Sequence, residues 1–248
     1  MMVVGPGFKT GEEIELALAL PLLGAVDEVT GSESTNIKTA DAPRDLSIKP
    51  TSGFHDAIGV IRNAIKMWDR NSPTKVIQFT STISGEGKST ISRAIAKSAA
   101  NSGLRVLLVD AAIRRPVLSS HFGMDTLPGL VDLLRGTATP QHVIHYSAEA
   151  GCMILPSGGQ ASQPVDLLGS DRAKWIFDSV RSLFDYVVVD SPPAGVVIDP
   201  ILLSEYSDTL LYVVRWSTTP QEMVRYTVRQ LSRYKQPSGI ILNHVGAT

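Results

Sequence analysis

The sequence predicts an α/β domain built on a doubly wound, mostly parallel sheet, and three observations predict it. Short β-branched apolar runs alternate with helical segments, and the runs are continuously apolar, as in strands covered on both faces. The 248 residues are 43% hydrophobic and 19% charged, enough for one large domain of this kind and too apolar for a disordered polymer. Finally, one run leads into a glycine-bearing loop and two others end in aspartate, and open sheets of this class bind ligands at the carboxyl ends of their strands.

Residues 14–26 form a short apolar element. Its run from 17 to 26 contains Pro21 and Gly24 and follows Glu12, Glu13 and Glu15. It falls short of the ~18–20 apolar residues that span a bilayer and lacks the basic flank of a signal peptide. No other segment approaches a span. The stretch from about 27 to 53 is rich in Ser, Thr, Asp, Gly and Pro without an apolar period, which reads as a linker. The first 50 residues carry eight acidic side chains against Lys9, Lys38, Arg44 and Lys49, so this linker is acidic. From His55 to Trp68, Ile58, Ile61, Ile65 and Trp68 recur at helical steps, an amphipathic helix. Strands are then predicted over 76–80, 106–110, 153–156, 186–190, 210–214 and 239–243, with helices over 89–100, 171–183 and 221–234 among them. Lys plus Arg number 23 and Asp plus Glu 24, so bulk charge gives no argument for nucleic acid as a partner. A single cysteine, Cys152, excludes an internal disulfide framework and fits a reducing compartment. The five histidines show no metal-ligand spacing.

The strongest motif follows the strand at 76–80. Ser84, Gly85, Glu86, Gly87, Lys88, Ser89 and Thr90 place a Gly-Lys-Ser-Thr sequence between a strand and a helix, the context of a P-loop. Backbone N–H groups of such a loop converge on phosphate oxygens. Lys88 would reach the β- and γ-phosphates, and the Ser89 hydroxyl would ligate Mg²⁺. Thr82 stands where the motif expects its first glycine. Asp110 and Asp190 end two further strands beside this loop, where a carboxylate can hold Mg²⁺ or orient a nucleophile. The chain therefore divides into residues 1–53, an apolar element with a flexible acidic linker, and residues 54–248, a nucleotide-binding domain.

These segments resemble the bacterial protein-tyrosine kinases of capsule and exopolysaccharide synthesis, P-loop proteins related to the septum-site and partition ATPases. The resemblance runs over roughly 54–246. It rests on the Walker A loop at 84–90, the Walker A′ strand and its continuation at 109–116, and the Walker B strand with Ser191, Pro192 and Pro193. Residues 155–158, 164–168 and 184–186 add to it. It implies ATP and Mg²⁺ as cofactors and gives Lys88, Asp110 and Asp190 catalytic roles. Ser89, Asp110 and Asp190 would hold the metal. Ser84 through Thr90 and Asn243 would bind the nucleotide, Asn243 at the adenine edge. It also implies a membrane polysaccharide co-polymerase as partner, a homo-oligomer, and a cytoplasmic place peripheral to the inner membrane through that partner.

The chain departs from this family at named positions. Ala112 replaces the second aspartate of Walker A′. Residues 235–248 contain no tyrosine, whereas the family ends in a tyrosine cluster, and Gly59 replaces an arginine of its ring-assembly helix. Two readings stay open: a Mg-ATP-dependent tyrosine kinase, and an ATP-binding regulatory subunit without phosphotransfer. A partition-type ATPase is disfavoured by Ile83, where those relatives carry a signature lysine. Arg114 and Arg115 would steady a phosphate or form a surface ion pair. Arg225, Arg229 and Arg233 line one side of a helix, facing solvent, an acidic partner or lipid headgroups.

Overall fold

The computed structural model describes residues 5–27, 52–68 and 74–245. In chain order the elements are α1 (Gly11–Leu18), β1 (Leu22–Asp27), α2 (Ser52–Trp68), β2 (Val76–Ser81), α3 (Lys88–Asn101), β3 (Val106–Asp110), α4 (Leu118–His121), α5 (Leu130–Arg135), α6 (Pro140–Val143), β4 (His145–Ser147), β5 (Cys152–Leu155), α7 (Pro164–Leu168), α8 (Asp171–Leu183), β6 (Tyr186–Asp190), α9 (Asp199–Ser204), β7 (Thr209–Arg215), α10 (Gln221–Leu231) and β8 (Gly239–Val245). The strands form one sheet in the order β1-β8-β7-β2-β6-β3-β5-β4. Every pairing is parallel except β4 with β5 at one edge.

Alternation within each strand sorts its side chains onto two cores. Val106 and Leu108 of β3 join Ile77, Phe79, Val188 and Ile241 against α2 and α3. Leu107 and Val109 face the opposite way, with Val187 and Val189, onto α5, α8 and α9. Leu210, Tyr212, Val214 and Ile240 pack on that second face against α1 and α10. Helices thus cover both faces, which is why β2, β3 and β6 are buried along their whole length.

The predicted strands and main helices are present. The N-terminal element differs from its reading as a feature outside the domain. Thr10 caps α1 by accepting from the Glu13 N–H, and Ala19 ends the helix in a left-handed turn at φ 52°. The chain then enters β1, which pairs in parallel with β8 from Leu22 opposite Ile240 to Asp27 opposite Val245. Leu23 and Val26 are buried there against α2. The linker residues 28–51 lie outside the described residues.

Candidate nucleotide site

Fully buried β2 delivers the chain to the carboxyl edge of the sheet, between β6 and β7. The loop begins at Thr82, whose Oγ1 lies 2.8 Å from the buried Tyr212 hydroxyl. That bond gives the side chain a partner at the position where the motif has glycine. The Thr82 carbonyl accepts from the Gly195 N–H at 3.1 Å. A Cβ on residue 195 would come within 2.3 Å of that carbonyl oxygen, so glycine is needed for the close approach.

α3 opens at Lys88 with Gly87 as its cap, at φ +90° and with no side-chain capping bond. The N–H groups of the first turn are therefore left for a ligand, at the positive end of the helix dipole. A Cβ at residue 87 would fall 1.9 Å from Asn243 Nδ2, a second reason for glycine there. Ser84 and Gly85 are exposed at the tip; Ser89 and Thr90 are half-buried, and Lys88 is buried.

Asp110 and Asp190 end adjacent strands and stand opposite each other in register. Both are fully buried. The Asp110 carboxylate is taken: Oδ2 accepts from the Ser119 N–H and hydroxyl at 2.8 Å each, and Oδ1 from the Ala112 N–H at 3.2 Å. Burial still pushes its pKa up against those three donors. Among the described residues neither oxygen of Asp190 has a hydrogen-bond partner. Burial raises the Asp190 carboxyl to about 7. The Asp110 charge adds to the rise, while the Lys88 ammonium and the nearby Ser89 hydroxyl oppose it. An unpartnered buried carboxylate beside a lysine and a helix-terminal serine fits a divalent cation with oxygen ligands, with Ser89 and Asp190 as the protein's share. Among the described residues no three His, Cys, Asp or Glu side chains cluster as a metal group, so phosphate oxygens and water would complete the shell.

Three predicted residues make contacts that the sequence did not indicate. The Asp110 carboxylate accepts from Ser119 at the start of α4 and from the Ala112 N–H. Glu86 points its side chain into the protein, where Oε1 and Oε2 accept from Thr219, Arg215 and Ile83; only its backbone remains toward the loop. Asn243 Nδ2 donates to the Glu86 carbonyl at 2.8 Å, so it supports the loop from below. Of the two arginines, Arg114 grips Asp199 with two nitrogens at 2.9–3.1 Å. Sequence reasoning missed Ser119, Thr219 and Asp199, because each acts through a contact distant in the chain and no local motif marks it.

The fold and this loop define a P-loop nucleotide-binding α/β protein. Residues 74–236 match the family described as AAA domain. The chain is 30% identical over 247 residues to the tyrosine-protein kinase ptk of Acinetobacter johnsonii, covering 96% of this chain and 33% of that protein. It is 32% identical over 171 residues to the tyrosine-protein kinase CpsD of Streptococcus pneumoniae, covering 68% of this chain and 75% of that protein. It is 33% identical over 204 residues to the succinoglycan biosynthesis transport protein ExoP of Rhizobium meliloti, covering 81% of this chain and 25% of that protein. The chain thus spans about a third of the Acinetobacter relative and a quarter of ExoP. Among solved structures, the chimeric protein CapA2B2 superposes with a TM-score of 0.83 at 26% identity, covering 96% of this chain and all of that one. The chain belongs to the bacterial tyrosine kinase family.

Proposed function

We propose that this chain binds Mg-ATP and transfers the γ-phosphoryl group to a tyrosine hydroxyl, as part of the control of exopolysaccharide or capsule synthesis. The observation that carries this reading is Asp190, a buried carboxylate without a partner, beside Lys88 and Ser89 of the phosphate loop. The N–H groups of residues 84–90 receive the phosphates, and Lys88 sets its ammonium against the β- and γ-oxygens. Ser89 and Asp190 hold the cation, which when bound neutralises charge developing on the phosphates. In the transfer, the bond from the γ-phosphorus to the oxygen bridging it to the β-phosphate breaks and ADP leaves with that electron pair, while a bond forms from the γ-phosphorus to the phenol oxygen and the phenol proton passes to water. Tyr146, Tyr226 and Tyr234 are exposed, whereas Tyr186 and Tyr212 are buried, which favours the first three as acceptors within this chain. The partner is a membrane polysaccharide co-polymerase, acting through a cytosolic segment and placing the chain at the inner membrane. Among the described residues no helix is long and apolar enough to cross a membrane itself. Self-association into a homo-oligomer belongs to the same reading.

A second reading has its own support. Ala112 supplies no carboxylate, and that of Asp110 is engaged by Ser119, which favours a nucleotide-gated regulatory subunit without phosphotransfer. Incubation with labelled Mg-ATP, with Lys88→Met as control, separates the two. Label on tyrosine that disappears in Lys88→Met supports the kinase. Tight ATP binding without label supports the regulatory subunit, and no ATP binding overturns both.

A further inference from the structure

A carboxylate inside the phosphate loop is turned away from the site. Glu86 is 1% exposed, and its two oxygens take three donors. Oε2 accepts from the Ile83 N–H at 2.8 Å, within the loop itself. Oε1 accepts from the Thr219 hydroxyl at 2.6 Å, beyond the end of β7, and at 3.1 Å from the N–H of Arg215, the last residue of that strand. Burial raises the Glu86 pKa, and those three bonds oppose the rise. The loop is thus closed upon itself at 83–86 and tied to the turn leading into α10 by one side chain.

The loop's peptide planes show what this achieves. The Glu86 carbonyl is held by Asn243 Nδ2 at 2.8 Å, and the Gly85 carbonyl faces the Arg215 guanidinium at 3.4 Å. In a trans peptide the C=O and N–H point in opposite directions. With both carbonyls drawn toward β7 and β8, the N–H groups of Glu86 and Gly87 turn the other way, beside the uncapped first turn of α3. The positive φ values of Gly85 and Gly87, +88° and +90°, accommodate this arrangement. Without a tie, a loop of this length samples many peptide orientations and must be ordered when phosphate arrives.

We infer that Glu86 is a positioning residue for the nucleotide. Its carboxylate, with Thr219 as its main external anchor, presets the phosphate loop so that the loop's N–H donors already converge before phosphate binds. The residue touches neither phosphate nor metal, and it acts through the backbone of 83–87. This deepens the nucleotide-binding reading and rests on it.

The test compares the full chain with Glu86→Gln, Thr219→Val and Thr219→Ser, measuring ATP and ADP binding by calorimetry on samples whose folded state is checked by near-ultraviolet circular dichroism. A glutamine amide cannot accept from the Arg215 or Ile83 N–H where its NH₂ faces them, and valine removes the hydroxyl while keeping the shape. Both should weaken ATP and ADP binding about tenfold or more, in line with the loss of a hydrogen bond to a buried charge. Thr219→Ser, which retains the donor, should restore wild-type affinity. If Glu86→Gln does not fold, the Val and Ser pair at 219 decides alone. Folded variants that bind ATP as tightly as wild type would overturn the inference while leaving the nucleotide site intact. Wild-type protein that fails to bind ATP would overturn the site itself.

Discussion

Asp110 and Asp190 face each other in register on adjacent parallel strands, and only one of them is used by the protein. Asp110 gives its carboxylate to Ser119 and the Ala112 N–H, whereas Asp190, a strand away, has no hydrogen-bond partner among the described residues. Two side chains with the same local sequence context thus divide into a structural group and an available one. The asymmetry puts the available carboxylate on the β6 side of the site.

Substitution of Asp190 by Asn should stabilise the nucleotide-free protein in a pH-dependent way. The folded carboxyl is raised from its ordinary 3.8 to about 7 by burial. A raised group contributes stability that is fully present below its unfolded pKa and lost as pH rises through the folded value. Wild type and Asp190→Asn should therefore be similarly stable near pH 4. The variant should gain between there and pH 7, reaching on the order of a few kcal/mol above it. Urea midpoints from pH 4 to 8 measure this. Mg²⁺ should narrow the gap at pH 8, because a cation favours the ionised carboxylate, and chelation should reopen it. A gap that is constant with pH would refute the assignment of the shift to Asp190.

Ala112→Asp should increase phosphotransfer. Residue 112 is 6% exposed and its N–H bonds the Asp110 carboxylate, so an aspartate there returns an acidic group to the A′ side of the site. Electrostatic positioning dominates phosphoryl transfer, and one added charge group is worth roughly tenfold or more. Without cation, the variant should be less stable than wild type, because it adds a like charge near Asp110 and Asp190. Labelled-ATP assays at saturating Mg²⁺ and melting curves with and without the ion test both halves. A folded variant with unchanged transfer would argue that the missing carboxylate does not limit the reaction.

The sequence carried the central sheet because its strands are buried on both faces and so stay apolar up to their last residue, as in β3 and β6, where only the closing aspartate is charged. Glycine, lysine and hydroxyl side chains at fixed spacing carried the loop for the same local reason. Other features depended on distant partners. β1 pairs with β8 across more than two hundred residues, and nothing within 22–27 distinguishes an edge strand from a short apolar segment. β4 is only three residues long, too short for a period to register. Asp110 and Asp190 looked alike because each ends a buried strand, and only the return of Ser119 to Asp110 separates them. Glu86 looked like a phosphate-loop residue, and its anchor Thr219 lies 133 positions further along the chain.

Ser119→Ala should cost stability with little effect on ATP affinity. The Ser119 hydroxyl donates to Asp110 at 2.8 Å and accepts from the Ser157 N–H at 3.0 Å, all within a buried site. Alanine leaves that N–H unpaired and Asp110 short of one donor, a loss of about 2–3 kcal/mol. Denaturant midpoints measure it. A loss of ATP affinity exceeding the loss expected from unfolding would instead place Ser119 in the site itself.

The Arg114–Asp199 pair should behave as a clamp between the loop after β3 and the start of α9. Asp199 is wholly buried and the Arg114 side chain is 39% exposed, and two guanidinium nitrogens meet both carboxylate oxygens. Asp199 in turn raises the Arg114 pKa through that hydrogen bonding. Removing the arginine strands a buried carboxylate, a loss of about 3–5 kcal/mol for a fully buried pair and less here, about 2–3 kcal/mol, because Arg114 is partly solvated. Arg114→Lys should recover only part of this, since an ammonium cannot reproduce the forked contact. In Arg114→Ala combined with Asp199→Asn the stranded charge is gone, so the double variant should be more stable than Arg114→Ala alone. A double-mutant cycle from urea unfolding gives the coupling. Additive losses would mean that the two loops are held together by something other than this pair.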